Sequence, residues 1–171
     1  LVYGMQDIIR TSKAFFNNVP DLTGAIRRMV EENAAFKKQV EEFARFKAAE
    51  FARKLSTLAV ERNGVKLIVA DSVTLSDSDT ATMRNAALSL QKELENTALV
   101  AAWESEGKPQ LLLMYSNDLV KKGRNAGKDI REAAKFIQGG GGGQPGLATA
   151  GGRDSSGLKD ALEALTAIAV S

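Results

Sequence analysis

Nine of the chain's 15 glycines fall between Gly139 and Gly157. The stretch reads Phe136-Ile-Gln, then five glycines in a row (Gly139, Gly140, Gly141, Gly142, Gly143), then Gln144-Pro145-Gly146. Four small or apolar residues, Leu147 to Ala150, and Gly151-Gly152-Arg153-Asp154 follow. Glycine reaches positive φ and lets another backbone come close. Ordering five of them together costs much conformational entropy, so poly-glycine is usually a flexible linker. Here no Ser or acidic residue dilutes the run, and only 28 residues follow Gly143, too few for a second domain. An ordered, backbone-rich loop is therefore expected.

At 171 residues, 44% hydrophobic and 26% charged, the chain suits one soluble globular domain plus an appendage. It has no apolar run long enough to cross a bilayer. No secretory leader is visible at Leu1, and a start on Leu-Val-Tyr-Gly without Met reads as part of something longer. Cysteine and histidine are both absent. Their absence removes disulfides, thiolate nucleophiles, Ser–His triads, histidine acid–base chemistry and Cys- or His-ligated zinc. The lack of disulfides suits a cytoplasmic setting. Net charge is +2 but uneven: residues 119–153 carry seven basic and two acidic groups, residues 56–118 five and nine. One basic segment in a near-neutral chain points to a local anionic partner.

Met5 to Asn17 reads as a short helix, and Pro20 breaks the pattern after it. Asp21 or Thr23 is placed to cap a second helix from about Leu22 to Leu55. In that helix Leu22, Ile26, Met29, Asn33, Phe36, Val40 and Phe43 recur at spacings of four and three, a heptad stripe with charged flanks. The stripe needs a cover: its own domain, the first helix, preceding residues or a second copy of the chain. Phe36 and Phe43 are expected to be buried there. Residues 1–56 are thus a helical arm and residues 57–171 a globular domain.

Asn63-Gly64 signals a turn and Val65–Ala70 a strand. Ser76 and Asp79 form a capping box for a helix to about Glu95, with Met83, Ala87, Leu90 and Leu94 on one face. Ala98–Trp103 and Gln110–Tyr115 pair as a hairpin turned by Glu106–Pro109, with Trp103 in the core or on the sheet face. A helix from Asn125 to Gln138 turns Ala126, Ile130, Ala133 and Ile137 inward and gathers Lys128, Arg131 and Lys135 outside. Leu147–Ala150 adds a short strand. Ser155 or Ser156 caps a last helix whose Leu158, Leu162, Leu165 and Ile168 face the core. The expected class is α/β (α+β): a helical hairpin or coiled-coil arm, then a small sheet with flanking helices.

Glycine-rich backbone beside a helix N-terminus is a phosphate-binding arrangement in principle. No Gly-Lys-Ser/Thr follows these glycines, so the nucleotide-binding P-loop is absent. The carboxylate pairs Asp77/Asp79 and Glu93/Glu95 fall on caps and helix surfaces, and no cluster suggests a metal. The residues read as a binding module with no catalytic residue, cofactor or metal of its own.

The glycines, the Pro, the small apolar run and Gly-Gly-Arg-Asp together resemble the signature of the C-terminal domain of bacterial alanyl-tRNA synthetases, a module also called DHHA1. Tyr115-Ser116-Asn117-Asp118-Leu119 and Asn125-Ala126-Gly127 are similar to the family as well. The resemblance runs from about Leu111 to Leu162 and is looser upstream. It implies a module that binds the outer corner of tRNA(Ala) and helps bring one tRNA to the aminoacylation and editing sites. ATP, Mg and Zn belong to those other parts of the enzyme. It also implies a coiled-coil-like arm, through which a homodimer is an expected partner, and no membrane or DNA partner.

Candidate RNA contacts are Lys121, Lys122, Arg124, Lys128, Arg131, Lys135, the backbone of Gly139–Gly143, Gln144 and Arg153. RNA of this kind is recognised by shape, backbone and exposed loop bases. Many relatives carry Arg or Lys where this chain has Gln144, which leaves that position hydrogen bonding to base or sugar. Two alternatives stay open: the substrate-binding domain of a DHH-type phosphoesterase, whose loop typically carries His where Gln144 stands, and a dimerisation module.

Overall fold

The computed structural model describes residues 2–15, 22–75 and 80–171. The chain divides into two compact units, Leu1–Ala44 and Arg45–Ser171. The border falls inside a helix, not at its end, because the last turns of that helix bury Ala48, Ala52 and Leu55.

The first unit holds α1 (Val2–Phe15) and the larger part of α2 (Leu22–Ser56). The break expected at Asn17–Asp21 lies outside the described residues. Thr23 is inside α2 and is not its cap. The heptad stripe forms as expected, but Ile26, Met29, Val40, Phe36 and Phe43 are exposed in the described structure instead of buried, the two aromatics at 64% each. The reason is length. α1 has 14 residues and α2 has 35, about 21 Å against about 52 Å at the α-helical rise. The first helix therefore cannot sheath the second.

The second unit is a six-stranded sheet between two helical layers. β1 (Val60–Arg62), β2 (Val65–Ala70), β3 (Thr97–Ser105), β4 (Lys108–Tyr115), β5 (Gly140–Gln144) and β6 (Leu147–Gly151) lie in the order β1-β2-β3-β4-β6-β5. Only β2 and β3 are parallel. They are joined by α3 (Thr80–Glu93), the crossover that a parallel pair requires. The capping box Ser76/Asp79 lies outside the described residues.

Alternation on the strands builds two cores. On one face Leu67, Val100, Leu113, Tyr115 and Ala148 pack with Ile130 of α5 (Ala126–Ala134) and Leu165 of α6 (Leu158–Ala169). On the other Ile68, Leu99, Trp103, Leu112 and Met114 pack with Met83 and Leu90 of α3 and Leu55 of α2. Trp103 is thus a core residue, and its indole Nε1 meets no acceptor among the described residues. Each such fully buried side chain contributes roughly 1.5–3 kcal/mol.

Several local readings change. Asn63-Gly64 does more than turn the chain: it closes a hairpin between β2 and the short, exposed β1, with φ of 49° and 77°. Glu106-Gly107 alone makes the β3–β4 turn, again with both φ positive (52° and 72°), as two-residue hairpins need. Pro109 lies inside β4, one residue before its ladder to β6 begins at Gln110. Residues Asn117–Lys121 form a helical turn, α4.

The last helix is not capped by Ser155 or Ser156. A 3₁₀ turn, Ser155–Gly157, precedes it, and Asp154 accepts the Ser156 N–H at 3.0 Å. The buried face of α6 is Ala161, Leu165 and Ala169, with Leu158 and Leu162 partly packed. Ile168 is only half-buried.

Candidate functional site

The glycine run is a strand, not a loop. Gly140 to Gln144 form β5, the edge strand beside β6, and Gly139 leads into it. None of the five has positive φ. Close approach explains them instead. A Cβ on Gly141 would stand 2.6 Å from Thr149 O and 2.7 Å from Ala150 Cα. Cβ atoms on Gly139 and Gly143 would likewise run into the β6 backbone, at Gly151 O and Leu147 O. A Cβ on Gly140 would meet nothing within 4 Å, and one on Gly142 only the Arg131 guanidinium at 3.6 Å. The odd-numbered glycines are therefore structural, and the even-numbered ones look outward.

Glycines elsewhere admit further backbone. Gly127 lets α5 lie against β5, since its Cβ would stand 2.7 Å from Gly143 O. Gly152 makes room for the Ile137 carbonyl and Gly157 for that of Phe136. Ile137 O also accepts the Arg153 N–H at 2.9 Å. The Pro145-Gly146 turn is tied down through its carbonyls, by Ala126 N–H at 2.9 Å and Tyr115 N–H at 3.0 Å.

Asn125 starts α5 by accepting the Lys128 N–H at 3.1 Å. Ala126, Ile130 and Ala133 are buried, so Lys128 and Arg131 stand outside. A 3₁₀ turn, Lys135–Ile137, ends the helix, and Gln138 at φ 48° redirects the chain into the glycines. Arg131 reaches over Gly142.

The other cations differ in availability. Lys121, Lys128 and Arg153 are exposed, and their side chains have no partner among the described residues. Lys135 pairs with Glu132 at 2.5 Å and Lys122 with the half-buried Asp118 at 3.9 Å, i,i+3 and i,i+4 pairs of small worth near the surface. Arg124 belongs to the fold: it donates to Ile168 O at 3.1 Å at the C-terminus of α6 and lies 5.8 Å above the Tyr115 ring. The buried Tyr115 hydroxyl donates to Asp129 at 2.8 Å, and burial first, then that carboxylate, pushes its pKa far up. Arg124, expected as an RNA contact, thus has an anchoring role in the fold.

On the opposite face of β5 lies a groove of about 280 Å³, walled by α3 on one side and by β5 and β6 on the other. Arg84, Leu88 and Gln91 line it from α3, and Gly142, Gln144, Leu147 and Thr149 from the strands. Among the described residues no group of three or more His, Cys, Asp or Glu could hold a metal.

The family model of the DHHA1 domain matches residues 64–171. The chain belongs to the DHHA1 domain family. It is 42% identical to an alanine–tRNA ligase of Parabacteroides distasonis and 43% identical to one of Bacteroides thetaiotaomicron, each over 96% of the chain. It is 32% identical to the enzyme of Dehalococcoides mccartyi over 91% of its length. The chain spans only 18–19% of these relatives. Its fold is similar to the C-Ala domain of Aquifex aeolicus alanyl-tRNA synthetase, with a TM-score of 0.55 and 23% identity, covering 66% of this chain and 98% of that one.

In this DHHA1 domain the structure brings Arg131 to the glycine strand and sets Gln144 at the strand's end, on the groove. The α3 contribution was missed by sequence reasoning. Arg84, Leu88 and Gln91 share one helix face at i, i+4 and i+7. That stripe was readable, but nothing local says which strand it overlooks.

Proposed function

We propose that this DHHA1 domain is the tRNA-binding C-terminal part of an alanine–tRNA ligase, working in the cytoplasm. It holds the elbow of tRNA(Ala) so that one tRNA serves the aminoacylation and editing sites elsewhere in the enzyme. The observation that carries this reading is the bare edge strand with Arg131 over Gly142, beside the exposed Lys128. Cations hold the phosphates, and a side-chain-free strand lets sugar and base edges come near. Lys121, Lys122, Lys135, Arg153, Gly140 and Gln144 extend the proposed surface. The kinship with alanine–tRNA ligases over nearly the whole chain supports the choice of RNA.

Titration with whole tRNA(Ala) against an acceptor minihelix lacking the elbow, at several salt concentrations, tests it. Preference for whole tRNA is expected, and preference for the minihelix overturns the elbow assignment. The chain should form no alanyl-adenylate and deacylate no mischarged tRNA; turnover of either by clean protein refutes the binding-module reading. Self-association through the stripe of α2 is a second proposal, favoured by the exposure of Phe36 and Phe43.

A further inference from the structure

The groove between α3 and the β5–β6 hairpin is chemically unlike the cationic outer face of α5. Its wall carries one cation, Arg84, and no carboxylate. Gln91, Gln144 and Thr149 add three neutral polar groups, none of whose side chains is hydrogen-bonded among the described residues. Leu88 and Leu147 supply apolar surface between them. The Gln91 amide lies against Gly146, its Nε2 in the space a Cβ there would take. At about 280 Å³ the groove is smaller than the roughly 300–1,000 Å³ of ordinary small-molecule sites.

These features select among occupants. A bare phosphate gains from several cations, and the groove offers one. A purely apolar group would leave three polar side chains stripped of water, at a cost. A flat heteroaromatic ring suits both halves: its faces meet leucines and glycine backbone, and its edge meets amides. Each glutamine amide presents a donor and an acceptor, the combination a base edge requires. The exposed Arg84 then stands at the rim, where the attached phosphate would be.

We infer that this groove takes one unstacked nucleobase, read by Gln91 and Gln144, with Arg84 on its 5′ phosphate. The assignment of a base within tRNA rests on the RNA-binding reading above. Losing one amide contact to a base edge weakens binding roughly two- to ten-fold.

The test has two arms. In the first, the side-chain amide resonances of Gln91 and Gln144 are followed as the chain is titrated with the four nucleoside 5′-monophosphates and, separately, with ribose 5-phosphate. Saturable shifts with at least one monophosphate and none with ribose 5-phosphate are expected. Equal shifts with both, or no shift with any monophosphate, overturn the base site. In the second, tRNA affinity is measured for Gln91→Met and Gln144→Met, neutral replacements of similar length. A loss of about two- to ten-fold with an unchanged salt slope is expected. Unchanged affinity, with far-UV and thermal melts matching the parent, overturns the groove's part in RNA binding. Should the parent chain ignore tRNA while monophosphates still shift both amides, the RNA reading falls and the base site stands.

Discussion

Alanine substitutions at Gly141 and Gly140 should act in opposite directions, although the residues are adjacent and chemically identical. An alanine at 141 places its methyl 2.6 Å from Thr149 O and 2.7 Å from Ala150 Cα, both backbone atoms of the partner strand. Ordinary contact lies near 3.5 Å, so β5 would have to retreat by about 1 Å. α5 opposes that shift on one face, since Gly143 O occupies the space a Cβ on Gly127 would take. Overpacking of this kind costs about 1–3 kcal/mol. Gly140→Ala meets no atom within 4 Å and has no positive φ to lose. It should stabilise by about 0.4–1 kcal/mol by restricting the unfolded chain. The two variants should therefore differ by roughly 1.5–4 kcal/mol, on the order of 5–15 °C in melting temperature for a unit of this size. Urea unfolding followed by far-UV circular dichroism measures it. Equal midpoints for the two variants, or Gly141→Ala as stable as the parent, would refute the view that the odd glycines are held by β6. A larger side chain at 141 would likewise probe folding, whereas Gly140 and Gly142 are the positions where a side chain would obstruct a ligand.

Arg124→Ala should lose about 1–2 kcal/mol of stability, through its bond to Ile168 O and its stacking on Tyr115, and leave the salt slope of tRNA binding unchanged. Arg131→Ala should do the reverse, with stability kept and the slope reduced by about one; a swapped pattern in melts and titrations would assign the two arginines wrongly. Replacing Phe36 and Phe43 together with Asp should leave the melting of the sheet unit alone and shift the sedimenting mass toward monomer; a monomeric parent would end the self-association proposal. Asp118 accepts the Asn96 N–H with both oxygens at 3.0 Å. Burial works to raise its pKa, but the bonds from Ser116 and Asn96 outweigh it and hold the carboxyl below its usual value. Its stabilising effect is present above the unfolded pKa near 3.9 and fades as pH falls through the lower folded value. Asp118→Asn should therefore lag the parent at about pH 6 and converge with it as pH drops below about 4; a gap that stays constant in urea midpoints would refute the linkage.

Much of the architecture was legible because it is written in local period. Val65–Ala70, Ala98–Trp103 and Leu147–Ala150 announced strands by apolar run, and Ala126, Ile130, Ala133 and Ile137 announced the buried face of α5 and of the 3₁₀ turn that ends it. The glycine cluster and Gly-Gly-Arg-Asp carried the kinship without any structure. The absence of Cys and His limited the chemistry at once.

What stayed hidden depends on contacts between distant residues. Poly-glycine has no side-chain alternation, so nothing local could mark it as a strand; the β6 backbone and α5 make it one by occupying the space where Cβ atoms would be. Counting charges could not tell Arg124 from Arg131, seven residues away: one meets the end of α6, the other meets Gly142. Nor could the α3 stripe of Arg84, Leu88 and Gln91 reveal its object, since the crossover from β2 to β3 alone brings it over a strand some 50 residues later. Local sequence determined which segments become helix or strand and which faces are apolar, because these depend on period and propensity. The tertiary structure decided which glycines are indispensable and which cations are free, because both depend on what stands within a few ångströms across the sheet.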